Sequence, residues 1–262
     1  MGHDDEGRRV SRRRLIAGVG SIGLGGLIAA CTPGGPAVTT STGASVTPRA
    51  TTAEDLTSLF DGANTCALTP ATTPGPYYFD ADKIRADIRE DREGVRLRVA
   101  VKVQDSQSCR PIKDAVVEIW HCDAGGLYSG AEAMSRGSGG GALSADPPDL
   151  TPQDDQRYLR GAQVTNADGI VEFTTVWPGW YRGRCVHIHA MVHVSDARVL
   201  TTQMMFDEAL NDRVLATRPY ADHGERDTRN DADGIFREEM LMKVAPDGDG
   251  HLAAIVFSAP NG

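Results

Sequence analysis

From Val95 to Val103 every second residue is apolar (Val95, Leu97, Val99, Val101, Val103), with Arg96, Arg98, Ala100 and Lys102 between them. Successive side chains leave a strand on opposite sides, so this period of two predicts a strand with one buried face. Ala115–His121 (AVVEIWH) is apolar on nearly both faces and fits a central strand. Gln163–Thr165 and Ile170–Thr175 flank Asn166-Ala167-Asp168-Gly169, whose Asp-Gly step is a hairpin signal. Val186–Val194 alternates again. Val199–Phe206, Glu239–Val244 and Ala253–Phe257 complete the set, with one short helix around Glu208–Ala216. Strands spaced by turn signals in this way predict a mainly β fold, a single β-sandwich domain with long loops and one or two short helices. Gly130–Arg160 is a long Gly/Ser/Pro insertion, read as a loop over a site or as a disordered segment.

Part of the 262-residue chain lies outside that domain. Ser11-Arg12-Arg13-Arg14-Leu15-Ile16 reads as a twin-arginine export signal, followed by a Gly-rich apolar run, Leu15–Ala30. That run is shorter than the ~20 apolar residues of a membrane-spanning helix. It ends in Leu27-Ile28-Ala29-Ala30-Cys31, a lipobox in which Cys31 becomes the lipidated first residue. Residues 1–30 are thus predicted to be a signal peptide, with a non-cleaved anchor as the alternative. Residues 31–64, rich in Thr, Ser, Pro and Gly, are read as a flexible tether, because they cannot bury enough apolar surface to offset ordering. The folded domain is assigned to residues 65–262, long enough for a substantial core. The expected location is the outer side of a bacterial cytoplasmic membrane, reached by a route that exports folded chains and held there by the N-terminal lipid only. A cofactor inserted before export would suit that route.

The signal segment holds five of the 27 basic and three of the 36 acidic side chains, leaving 22 and 33, a net charge of −11. Such an acidic domain, with no basic patch, argues against nucleic acid as a partner. Beyond Cys31 the cysteines are Cys66, Cys109, Cys122 and Cys185. Outside the cytoplasm a disulfide is plausible. Cys109 and Cys122 would stand roughly 20 Å apart across the intervening strand. Cys66 with Cys109 is the preferred pair, and buried free thiols are the alternative.

On the strand Val186–Val194, His187, His189, Met191 and His193 share one face and Val186, Ile188, Ala190, Val192 and Val194 the other. Histidines two apart suit two imidazoles on one metal, whereas His193 lies ~13 Å beyond His189, too far for bonds of about 2 Å. A lone His-x-His is also what a surface or hydrogen-bonded core pair looks like. Upstream, Phe173–His189 reads FTTVWPGWYRGRCVHIH, a turn at Pro178-Gly179 that brings Tyr181 and Arg184 beside the histidines. Trp120–Gly130 (WHCDAGGLYSG) ends the central strand and presents Tyr128 in a loop.

With Thr73–Tyr78 (TPGPYY) and Thr201–Phe206 (TTQMMF), these pieces resemble the intradiol ring-cleavage dioxygenases, the family of protocatechuate and catechol dioxygenases. The resemblance runs from about Cys66 to Phe257. It implies a ferric ion held by Tyr128, Tyr181, His187 and His189, with Arg184 stabilising negative charge on the substrate and Gln203 lining the pocket. It also implies that Tyr77 and Tyr78 lie near the site mouth; Trp120, Trp177 and Trp180 are read as core or pocket wall, with Trp180 the candidate for substrate contact. The implied reaction opens a catechol-type ring with dioxygen to a muconate-type diacid, Tyr181 yielding its place to substrate. Independently of the family, phenolates are hard anionic donors that favour Fe(III) over Fe(II). An arginine suits a point where oxyanion character develops.

Rival readings are weaker. His121-x-Asp123 could belong to an Fe(II) facial triad, but His3-x-Asp5 and His223-x-Glu225 repeat the spacing and empty it of information. Asp231-x-Asp233-Gly234 and Asp247-x-Asp249-Gly250 have Arg229 and Ala245 where a calcium loop needs its first carboxylate, so both read as turns. A lipid-anchored, non-enzymatic β-sandwich binding module is the remaining alternative, since a fold does not fix an activity. Only the tether precedes Cys66, leaving no room for a helical dimerisation segment. Whether the chain forms a homo-oligomer, and which catechol it takes, stay open; export suggests an environmental, lignin-derived aromatic.

Overall fold

The computed structural model describes residues 38–39, 45–46, 56–60, 66–137, 149–195 and 197–260. The export signal, Cys31 and most of the tether lie outside the described residues, as does the middle of the Gly/Ser/Pro insertion. Among the described residues no helix is long and apolar enough to cross a membrane.

The strands are β1 (Val38–Thr39), β2 (Ser45–Val46), β3 (Arg96–Asp105), β4 (Val116–Trp120), β5 (Arg160–Val164), β6 (Ile170–Val176), β7 (His187–Val194), β8 (Ala197–Met205), β9 (Lys243–Asp247) and β10 (Gly250–Ala259). The helices are α1 (Thr57–Phe60), α2 (Glu132–Gly137) and α3 (Glu208–Leu215). Apart from the short β1–β2 ribbon, the strands form two four-stranded sheets, ordered β6-β3-β10-β9 and β5-β4-β7-β8. The first contains one parallel pair, β3 with β10; the second is antiparallel throughout. This is the mainly β, two-sheet architecture expected from the alternation.

The core lies between the sheets. Leu97, Val99, Val101 and Val103 of β3 and Ala253, Ile255 and Phe257 of β10 meet Val117 and Ile119 of β4 and Ile188, Ala190 and Val192 of β7. The helix α3 starts at Asp207, whose carboxylate accepts from the amides of Ala209 and Leu210, as a capping aspartate should. The expected strand Glu239–Val244 is displaced. Glu238–Met240 is a 3-10 turn that buries Met240, Leu241 bridges to Met205, and the strand runs Lys243–Asp247 instead. Pro246 is tolerated there because β9 is an edge strand. The Asp247–Gly250 segment is the turn into β10, as its glycines suggest.

The outer face of the β5-β4-β7-β8 sheet positions the site. His187, His189, Met191 and His193 point away from the core, yet each is at most 2% exposed. The chain from Pro70 to Ile84 and the loop after Tyr128 roof this face. A second cluster forms beneath them from Tyr77, Tyr78, Trp120, Cys122, Tyr128, Ala131, Tyr181 and Met191, with Leu150 packed against it. The described ends of the insertion therefore act as a loop over the site. Tyr158 bonds Glu132 at 2.7 Å, and Arg160 bonds the Ser129 hydroxyl and carbonyl at 2.9 Å. Cys66, at the start of the roof, is disulfide-bonded to Cys109, with Cα atoms 5.5 Å apart. Cys122 and Cys185 are buried free thiols.

Candidate metal centre

Three non-adjacent stretches deliver the phenols and imidazoles. Tyr128 follows the tight turn after β4, where the Asp123 carboxylate accepts from the amides of Gly125 and Leu127. Tyr181 follows Pro178-Gly179. There the Gly179 amide donates to the Asp123 carbonyl at 3.1 Å, and a Cβ at Gly179 would run into the carbonyls of Asp123 and Ala124. This glycine lets the two tyrosine-bearing loops lie against each other. His187 and His189 leave β7 on the same side.

The donors converge. His187 Nε2 stands 3.2 Å from the Tyr181 hydroxyl and 3.1 Å from His189 Nε2. Ligands with bonds of about 2.0–2.1 Å to one ion stand roughly 3 Å from each other, so this spacing, also that of a hydrogen bond, is compatible with groups sharing a metal. His187 Nδ1 lies 2.7 Å from the Cys185 carbonyl, which makes Nδ1 the protonated nitrogen and turns the Nε2 lone pair to the cluster. His189 is fixed by packing: its ring stacks on Trp120 at 4.9 Å with planes 4° apart. Gly75 (φ +74°) brings the roof so close that a Cβ would sit 3.1 Å from His189 Cε1. The Tyr128 ring lies 5.7 Å from Tyr181 and 6.2 Å from His189. Its hydroxyl is fully buried and meets strict hydrogen-bonding geometry with no group, while the Tyr181 phenol, close enough for a long hydrogen bond, is its nearest polar neighbour in effect.

Burial dominates the proton affinities. It lowers His187 to about 3 and pushes His189 well below its ordinary value, so both imidazoles are neutral. It pushes the Tyr128 and Tyr181 phenols up, the former through proximity to Tyr181 as well. Buried phenols of this kind ionise only beside a cation. Two neutral imidazoles whose Nε2 atoms meet, and two phenols short of a counter-charge, fit a hard, highly charged metal ion such as Fe(III).

Arg184 is buried alongside. Its Nε donates to Asp233 Oδ2 at 2.8 Å and one terminal nitrogen donates to Gln203 Oε1 at 2.5 Å. Gln203 pairs with His189 across β7 and β8 and so faces the same side; its amide nitrogen is buried and unpartnered. Tyr77 stacks on Tyr128 (4.5 Å, 24°) and meets Tyr181 edge-on (5.9 Å, 83°). Tyr78 tilts on Trp120 at 4.8 Å and donates to Glu118 at 3.2 Å, and Glu118 pairs with His193 at 2.9 Å. His193 thus belongs to a buried pair that anchors the roof.

One expected residue stands elsewhere. Trp180 packs on the inter-sheet core cluster, with its ring 4.5 Å from His223 and its Nε1 donating to the Gly224 carbonyl. Tyr181, next in sequence, faces the ligand cluster; Trp180 does not join it. The facial-triad rival is answered by His121, whose ring nitrogens lie 2.8 Å from the Cys122 carbonyl and 2.7 Å from Thr175 Oγ1. Among the described residues no group of three or more His, Cys, Asp or Glu side chains could hold a metal. A centre at the His187–His189 pair would draw on the phenols. Asp233 and Glu118 were not legible as site residues: the first looked like part of a turn, the second like an ordinary strand position.

A family model described as Dioxygenase matches residues 70–239, which contain all four donors, Arg184, Gln203 and Asp233. The chain belongs to the intradiol ring-cleavage dioxygenase family. An intradiol ring-cleavage dioxygenase from Tetranychus urticae is 33% identical, with a TM-score of 0.67 over 75% of this chain and 96% of that one. The dioxygenase domain of a dioxygenase–carbohydrate-binding fusion from Streptomyces sp. SirexAA-E is 28% identical, with a TM-score of 0.52 over 74% and 99%. Catechol 1,2-dioxygenase 1 of Acinetobacter lwoffii is 30% identical over 158 residues, 52% of this chain and 45% of that protein. The chain spans about half the length of the curated relatives it matches.

Proposed function

We propose that this protein is a non-haem Fe(III) enzyme that cleaves the ring of a catechol-type diol between its hydroxyl-bearing carbons, using dioxygen. The observation that carries the reading is His187 Nε2 standing 3.2 Å from the Tyr181 hydroxyl and 3.1 Å from His189 Nε2, with the buried Tyr128 phenol interacting with Tyr181 beside them. Tyr128, Tyr181, His187 and His189 would hold the ion, which would attract a catecholate and make it reactive toward dioxygen.

The chain's own groups do the rest. His187 and His189 stay neutral because they are buried, so they ligate without competing for protons. Tyr181, a residue slightly exposed where Tyr128 is wholly buried, would be the phenol that accepts a substrate proton on its oxygen. Arg184 presents positive charge where the opening ring gathers negative charge, preorganised by bonds to Asp233 and Gln203. Tyr77 walls the site against Tyr128 and Tyr181 beneath the roof from Pro70 to Ile84. The product is a muconate-type diacid. The N-terminal features support an exported, lipid-anchored enzyme, and so an extracellular aromatic as substrate.

Purified protein tests this directly. Iron-loaded protein should be coloured by phenolate-to-iron absorption and should consume oxygen with a panel of substituted catechols. A well-folded protein that takes up no iron, or an iron-loaded one inert toward every catechol, refutes the proposal.

A further inference from the structure

Asp233 stands at the end of the 3-10 turn Asn230–Ala232, 49 residues from Arg184 in sequence, with a side chain only 2% exposed. Its Oδ2 accepts from Arg184 Nε at 2.8 Å and from the Cys185 amide at 2.9 Å, while Oδ1 accepts from the Ile235 amide at 2.9 Å. On its far side Arg184 is bonded to Gln203 at 2.5 Å. The guanidinium is therefore clamped at Nε and at one terminal nitrogen.

The charge count explains why a clamp is needed. If the site works as proposed, two phenolates on a 3+ ion leave one positive charge, and Arg184 adds a second within the same buried cluster. Like charges in a buried site repel, and an uncompensated buried guanidinium is costly. Asp233 is the acidic side chain that bonds Arg184. We infer that Asp233 is a positioning residue for ring opening: it fixes Arg184 against the ligand cluster and supplies the counter-charge that keeps it there. This inference rests on the proposed dioxygenase reading.

The test is a double-mutant cycle on the full chain: wild type, Asp233→Asn, Arg184→Met and the double variant. Each is measured for iron content and visible absorption, for kcat and KM with catechol, and for the melting midpoint of the iron-free protein. Asp233→Asn should keep the iron and resting colour while kcat falls at least about ten-fold, a loss of roughly 1.4 kcal/mol of transition-state stabilisation. In the Arg184→Met background the same change should move kcat less than about two-fold, because there is nothing left to position. Iron-free Asp233→Asn should melt below the double variant, since removing one partner strands a buried charge and removing both does not.

Equal losses of kcat in both backgrounds would overturn the inference, as would melting shifts that simply add. Should Asp233→Asn not fold, folding of the double variant and recovery of turnover in Asp233→Glu carry the same decision. Failure of both to fold would make Asp233 a purely structural residue. A wild-type protein without iron or oxygen uptake refutes the dioxygenase reading, and coupled melting midpoints would then mark Asp233–Arg184 as an ion pair without a catalytic part.

Discussion

Tyr128→Phe removes a single oxygen, and the proposed site gives that oxygen opposite effects on stability and on metal binding. The Tyr128 hydroxyl is buried with no partner in hydrogen-bonding geometry, and its ring is stacked under Tyr77. A buried, unsatisfied polar group costs about 1–3 kcal/mol, and the ring packing survives in phenylalanine. Iron-free Tyr128→Phe should therefore be more stable than iron-free wild type by about 1 kcal/mol, after allowing for the lost contacts of one atom. For a domain of this size that raises the melting midpoint by roughly 2–4 °C. The same variant should lose most of its iron and its visible absorption, because one of two anionic ligands is gone. Calorimetry of metal-free protein, paired with iron analysis after reconstitution, reads both effects. A variant that is destabilised when metal-free, or that keeps iron and colour, would refute the assignment of Tyr128 as a ligand.

Arg184→Ala should keep iron and colour and lower kcat roughly 10²–10³-fold, as expected when one preorganised donor to developing negative charge is removed, measured by oxygen uptake. Breaking the Cys66–Cys109 bond, which closes a sequence separation of 43 residues, should destabilise the protein by up to about 4 kcal/mol, read from urea unfolding with and without reductant. His121 is fully buried and lowered to about 4, chiefly by that burial, from an unfolded value near 6.5. The unfolded chain binds the extra proton in that window and the folded one does not, so stability rises with pH from 4 to 6.5. Acidification across it should cost on the order of 3 kcal/mol. In His121→Gln the urea midpoint of iron-free protein should depend less on pH; an unchanged slope would place the acid-sensitive group elsewhere.

The sandwich was legible because strand alternation is a local signal. β3 and β7 each write their inward face in sequence, and β10 and β6 fall where apolar runs end in turn residues. β9 was misplaced because its position is set by a bridge to Met205 and by burial of Met240, neither of which is local. Within the site, His187 and His189 could be placed from periodicity alone, while Tyr128 and Tyr181 depended on the family resemblance, since a loop tyrosine ordinarily packs. Of the two readings of Trp180, core or pocket wall, the packing favours the first, because consecutive residues after Gly179 send Tyr181 toward the imidazoles and Trp180 against the inter-sheet cluster. Asp233 had no sequence signal: its role exists only because two distant segments dock.

The donors come from the exit of β4, the β6–β7 turn and β7 itself, and no two adjacent residues suffice. A metal that requires all four binds the folded chain and not the unfolded one, so its affinity adds directly to the stability of the assembled state. Colour would then double as a gauge of tertiary completeness. A substitution far away, at the Arg96–Asp247 pair on the opposite sheet for instance, would surface as a smaller coloured fraction with undiminished turnover per iron, and lesions of folding would separate from lesions of chemistry in one spectrum.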